Sequence, residues 1–160
     1  MYKHMKNIVF ALLMLLSSFS FSQEGELILY GRVENQGKVL GYVDLEIVKD
    51  NDTIIQVSTQ KNGDYKVNFE LGSVYNIAFS KPGYIKKTVD VIGVSPQKDK
   101  VSGKYTFQLD IELLKENENR VDETMLPPVA KLYITDPNEG FTFDKRYVKW
   151  GIDEYYNAKD

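Results

Sequence analysis

Residues 58–79 read STQKNGDYKVNFELGSVYNIAF, and this stretch decides the fold. Tyr65, Val67 and Phe69 alternate with Lys66 and Asn68, and Tyr75, Ile77 and Phe79 repeat the pattern after a short break. A period of two places one set of side chains in a core and the other in water, which is the signature of a β-strand. Asn62-Gly63 ahead of the first run is a strong hairpin signal, because both residues tolerate positive φ. Outward from here the same period continues. Leu27, Leu29 and Val33 form one run, Val43, Leu45 and Ile47 the next, then Ile55, Val57 and Thr59, and further on Val89 and Val91. The longest run is Tyr105, Phe107, Leu109, Ile111 and Leu113, with Gln108, Asp110 and Glu112 on the other face. Turn residues separate the runs at Asn35-Gln36-Gly37, Asp50-Asn51-Asp52 and Lys81-Pro82-Gly83. Seven short strands so punctuated predict an all-β, seven-stranded antiparallel sandwich, with the 105–113 strand at the centre of its core.

The ends of the chain read differently. Lys3, His4 and Lys6 precede an apolar run from Ile8 to Leu16, and a Ser/Phe stretch follows to Ser22 and Gln23. A basic start, a short apolar core and small residues at the end make residues 1–22 a secretory signal peptide, cut between Ser22 and Gln23. The apolar run is less than half of the roughly 20 residues that span a bilayer, so no stable membrane span is expected after removal. No cysteine follows it to carry a lipid. The expected location is periplasmic or extracellular, with outer-membrane association only through a partner.

Residues 23–114 carry the sandwich, and 115–128, beginning KENENRVDE and closing on Pro127-Pro128, read as a linker. Residues 129–160 are expected to form a C-terminal extension that docks on the sandwich or on a partner. It comprises a strand over Val129–Thr135, a turn at Asp136–Gly140, a returning strand at Phe141–Phe143, and a short helix capped by Asp144.

Composition narrows the chemistry. The 160 residues include 20 Lys+Arg, 23 Asp+Glu, one His and no Cys. Without cysteine there is no disulfide framework, thiolate metal site or thiol nucleophile. The one histidine, His4, lies in the signal segment, so the remainder lacks imidazole chemistry as well. A formal charge of −3 without a basic stripe argues against nucleic acid as a partner. No cofactor, metal ligand or catalytic residue is assigned.

The segments GRVENQGKVLGYVDLEIV (31–48), STQKNGDYKVNF (58–69) and YNIAFSKPGYIKKTVDV (75–91) together resemble the carboxypeptidase regulatory-like domain, a small transthyretin-like, carbohydrate-binding-like sandwich. Gly31, Val33, Gly37, Leu40, the Asn62-Gly63-Asp64-Tyr65 turn, Tyr75 and Lys81-Pro82-Gly83-Tyr84 carry the likeness. That resemblance implies a fold without chemistry, and hence an exported, non-enzymatic module that binds or scaffolds other proteins of a bacterial cell envelope. A carbohydrate-binding module that takes polysaccharide is the alternative, and a carboxylate-based hydrolase a third reading. The aromatic residues Tyr30, Tyr42, Trp150, Tyr155 and Tyr156 are candidates for partner or glycan contact, since rings stack on sugars and anchor interfaces. Packing of the C-terminal segment onto the sandwich is the competing role for these rings. The carboxylate pairs Asp44/Glu46 and Asp110/Glu112 share strand faces, where solvation is the ordinary role. Thr53, in Asp52-Thr53-Ile54, is a candidate O-glycosylation site. Asp50-Asn51-Asp52 lacks the glycine and distal glutamate of a calcium loop.

Overall fold

Two facing sheets hold most of the buried apolar side chains among the described residues. The computed structural model describes residues 25–50, 52–94, 102–116 and 122–159. The five-stranded sheet is organised around β1 (Glu26–Asn35). β1 pairs antiparallel with β2 (Lys38–Val39) and β5 (Asp64–Glu70), and parallel with β8 (Lys104–Gln108) and β9 (Ile111–Glu112). The six-stranded sheet contains β3 (Asp44–Lys49), β4 (Asp52–Ser58), β6 (Val74–Ser80), β7 (Lys87–Ile92), β10 (Ala130–Ile134) and β11 (Phe141–Phe143). Its order is β11-β10-β7-β6-β3-β4, with β10 parallel to β7.

The all-β sandwich stands, but its sheets are mixed where the sequence led to a purely antiparallel expectation. All three parallel pairs join strands far apart in sequence. A parallel neighbour cannot be reached by a tight turn and needs a long crossover, which the opposite sheet supplies here. Turn chemistry reports the hairpins between consecutive strands. It is silent about which late strand lies beside an early one.

The core is built from the inward parity of both sheets. Leu27, Leu29 and Val33 of β1 face Ile47, Ile77, Phe79, Val89, Val91, Leu132 and Ile134, all fully buried. The Tyr65 and Phe79 rings meet edge-on across the sandwich at 5.3 Å. The longest alternating run is not the centre. β8 lies at the edge of its sheet, where Tyr105, Phe107 and Leu109 are half-buried and only Ile111 and Leu113 further on are buried. Alternation reveals which face looks inward, and an edge strand satisfies it as well as a central one. That edge is closed against the other sheet by two aromatic pairs, Tyr105–Phe141 at 5.9 Å and Phe107–Phe143 at 6.2 Å.

The C-terminal segment forms the β10–β11 hairpin and then α1 (Lys145–Lys159). The Asp144 carboxylate accepts from the backbone N–H of Arg146 at 2.8 Å and of Tyr147 at 3.3 Å. It thereby offsets two basic residues placed unfavourably in the first turn. One face of α1 packs on the sandwich through Val148, Gly151 and the fully buried Tyr155. Beneath the helix lies Lys87, only 4% exposed, with its Nζ 5.3 Å from the Tyr155 ring centroid. Among the described residues no helix is long and apolar enough to cross a membrane. The signal-peptide and cleavage residues, Ser22 and Gln23 included, lie outside the described residues.

Candidate functional site

The described surface carries a polar hollow of about 370 Å³ on the solvent face of the five-stranded sheet. Its walls follow from the strand period. Tyr30, Arg32 and Glu34 are the outward residues of β1, Asp64 opens β5, and Gln108 and Asp110 come from the end of β8 and the link to β9. Gly31 creates the floor. A Cβ at this position would overlap the carbonyl of Leu109, so only glycine lets the β8–β9 link come this close. The close approach breaks the ladder between β8 and β9. There the Asp110 carboxylate takes over as partner for the Arg32 backbone N–H, at 2.9 Å.

Hydrogen bonds fix the walls. Arg32 Nε donates to Asp64 Oδ1 at 2.7 Å, and Asn62 donates to the other oxygen of Asp64 at 2.7 Å. The Asp64 hydrogen bond and charge raise the Arg32 pKa above its ordinary value. Gln108 Nε2 donates to Asp110 Oδ2 at 3.3 Å, and the Tyr65 hydroxyl beneath donates to the Leu109 carbonyl. Burial, and then the charge of Asp110, hold the Tyr65 phenol well above its usual pKa, so it is a fixed donor. A second hollow of about 240 Å³ adjoins the first through Glu34 and Asp110 and extends to Glu112. Glu112 accepts from the Gln36 N–H at 3.1 Å and from the Tyr156 hydroxyl of α1 at 3.3 Å. Among the described residues that line them, the joined hollows present Glu34, Asp64, Asp110 and Glu112 against the cation Arg32, which Asp64 already neutralises.

Gly31→Ala is therefore expected to destabilise the protein by about 1–3 kcal/mol, the ordinary range for overpacking, because the obstructing atoms are backbone. Urea denaturation of the variant beside the parent measures it, and an unchanged midpoint would contradict the close approach.

The aromatic residues singled out in the sequence are dispersed. Tyr30 is 41% exposed in the wall of the hollow. Tyr42 stands exposed in the β2–β3 connection at φ 56°. Trp150 is exposed on α1 with its ring tilted by 59° against Tyr147 at 5.4 Å, whereas Tyr155 is buried and fastens the helix down. Tyr156 reaches Glu112 at the second hollow. Thr53 lies in β4, and Asn51 is outside the described residues. Of the carboxylate pairs, Asp44 accepts from the Ser58 hydroxyl at 2.6 Å away from the hollow, while Asp110 and Glu112 belong to it. Arg32, Glu34 and Gln108 were not legible as site residues, since each reads as the solvated parity of its strand. Among the described residues no group of three or more His, Cys, Asp or Glu is arranged to hold a metal ion.

This is a mixed-sheet β-sandwich with a polar, predominantly acidic hollow on one face. No family model matches the chain, and no curated protein matches it. Solved structures similar to it include 3-chlorocatechol 1,2-dioxygenase from Rhodococcus opacus 1CP, at 15% identity and TM-score 0.44, covering 60% of this chain and 62% of that one. The wild-type catechol 1,2-dioxygenase of Acinetobacter radioresistens aligns at 15% identity and TM-score 0.46, covering 64% and 55%. The TIE protein of Bacillus anthracis aligns at 12% identity and TM-score 0.43, covering 57% and 18%. The chain thus spans about six tenths or less of the length of these structures.

These findings correct the functional expectations. The likeness to a carboxypeptidase regulatory-like domain, with its transthyretin-like and carbohydrate-binding-like labels, finds no family match, and the similar structures include a series of dioxygenases. The non-enzymatic envelope scaffold, its carbohydrate-binding alternative and the exclusion of enzymatic activity are set aside on the same ground. The turn and core residues that carried the sequence resemblance meet the demands of any small sandwich with tight hairpins, which is why they misled. At this identity no activity passes from the dioxygenases to this chain.

Proposed function

We propose that the protein binds a small organic cation, an amine or guanidinium compound, in the hollow on the five-stranded sheet. The carrying observation is the surplus of carboxylates, with Glu34 and Asp110 shared between two adjoining hollows beside the exposed ring of Tyr30. Carboxylates form the stronger, charge-assisted hydrogen bonds with N–H donors. An aromatic face attracts the same cation through its quadrupole. Arg32 is held by Asp64 and leaves the surplus in place. Gln108 braces Asp110 and fixes the direction of its free lone pairs. Such binding is also the first step of any chemistry on a compound of this class. Encounter with the cation outside the cytoplasm, following export through residues 1–22, is part of the proposal.

Calorimetric titration with putrescine, tetramethylammonium and arginine methyl ester, against glycerol and benzoate, tests it. One or more of the cations is expected to bind, and the neutral and anionic compounds are not. Asp110→Asn keeps an acceptor for the Arg32 N–H but removes the charge. It is expected to weaken binding by about tenfold or more, the equivalent of one charge-assisted hydrogen bond. Preference for benzoate, or indifference to Asp110→Asn, would remove the proposal.

A further inference from the structure

Among the described residues β5 is the outermost strand of its sheet; at its start the Asp64 carbonyl accepts from the Gln60 N–H at 3.0 Å, and from Lys66 to Glu70 no further strand pairs with its outer edge. Its pairing with β1 runs without a register shift from Asp64 to Glu70. The Leu71 N–H donates to the Gly25 carbonyl and the Val33 N–H to the Gly63 carbonyl, so the odd-numbered residues of β5 turn their backbone groups toward β1. By antiparallel alternation the backbone groups of Lys66, Asn68 and Glu70 point away from the sheet. All three residues are exposed, while Tyr65, Val67 and Phe69 between them are buried. An unpaired edge with no register shift is a template for another strand unless something blunts it. Bulges and proline do that elsewhere, and β4, at the end of the other sheet, has a register irregularity in its pairing with β3. β5 has neither device.

The charges on the edge choose the occupant. A second copy that meets β5 antiparallel about a two-fold axis must set outward-pointing residues opposite one another. Centred on Lys66 the pairing opposes lysine to lysine, and centred on Val67 it opposes Asp64 to Glu70. Centred on Asn68 it sets Asn68 against Asn68, Lys66 against Glu70 and Glu70 against Lys66. Opposite charges then face each other twice in the same register that satisfies the backbone. The Glu70 carbonyl already accepts from the Tyr75 hydroxyl at 2.8 Å and keeps a second lone pair for the new strand. Glu70 also pairs with Lys49 at 3.4 Å, but its side chain remains 72% exposed and within reach of a partner.

We infer that the protein forms a two-fold dimer in which the β5 strands of two copies pair antiparallel about Asn68 and fuse their sheets into one. The axis stands normal to the sheet, so both copies turn the same face to solvent and the two polar hollows open on one side of the dimer. This inference is independent of the identity of the ligand.

The test uses the full chain, which has no cysteine of its own. Sedimentation velocity over a concentration series is expected to show a reversible dimer. Lys66→Glu opposes like charges at both symmetric positions and is expected to weaken it by about tenfold. Adding Glu70→Lys to Lys66→Glu reverses both charges and is expected to restore the dimer to near the parent level, which general damage to the fold would not do. Asn68→Cys is expected to cross-link to itself under mild oxidation, because Cα atoms in a hydrogen-bonded pair lie about 5.5 Å apart, within disulfide reach. Lys66→Cys, displaced along the strand from its own mate, is not expected to cross-link. A monomer up to about millimolar concentration, including one whose edge is covered by another part of its own chain, overturns the inference. So does a dimer that the double reversal fails to restore, or one that links through position 66 rather than 68.

Discussion

Phe79→Ala is expected to cost about 3–5 kcal/mol, because both the transfer energy of the ring and the cavity it leaves count against the fold. Phe79 is fully buried on β6 and meets Tyr65 of the opposite sheet at 5.3 Å, so the cavity opens between the two layers. A domain of this size has about 5–15 kcal/mol in all, and the variant keeps only a fraction of it. Phe107→Ala removes the same side chain from the half-buried edge strand β8 and should cost markedly less. Urea denaturation of both variants measures the difference. Equal losses would put the centre of the core at β8, as the sequence alone led one to expect.

Lys87→Met is expected to stabilise the protein by about 3–4 kcal/mol at pH 7. Burial beneath α1 pushes the Lys87 ammonium down to a pKa of about 8, from 10.5, and among the described residues the charge of Glu112 opposes the shift. The sign follows from proton counting. Between pH 8 and 10.5 the unfolded chain holds a proton on this lysine that the native protein does not, so native stability rises with pH across that window. Below pH 8 the amine is charged in both states, and the whole desolvation cost stands. At about 1.4 kcal/mol per pH unit, the difference between parent and variant should be constant below pH 8 and close by about pH 10.5. Denaturation of both proteins at a series of pH values isolates this group from the tyrosines that titrate nearby. A variant less stable than the parent at pH 7 would show that the contact of Lys87 with the Tyr155 ring outweighs its burial.

The layers of this fold were legible in the sequence where local rules decide them. Tyr65, Val67 and Phe69 fall on the inward parity and are buried, and the Asp144 cap with its following helix appears where the pattern put it. The neighbours of β1 and β7 were not legible, because β8 and β10 join them in parallel from distant segments and leave no turn to read. The candidate site was half visible. Asp110 and Glu112 stood out as a pair on one face and Tyr30 as an aromatic on the polar parity, but nothing local announces that Arg32 and Asp64 meet them. That meeting depends on Gly31, whose missing side chain admits the Leu109 carbonyl, and a strand glycine reads equally well as a simple irregularity. Lys87 was invisible for a similar reason. In Lys86-Lys87-Thr88 it reads as a solvated charge until α1 is laid over it.

The parallel union of β1 with β8 also sets a clock on synthesis. The Arg32 backbone N–H finds its partner in Asp110, 78 residues further along the chain. Ribosomes add roughly 5–20 residues per second. The first strand of the nascent chain therefore waits several seconds with one flank open before its permanent neighbour exists. Meanwhile its own hairpin partner and β5 can form by local collapse, but the aromatic edge that shuts the sandwich cannot. During that interval Leu27 and Leu29 have only the strands of the facing sheet already made to cover them, and the wall of the hollow that Gln108 and Asp110 supply has yet to take shape.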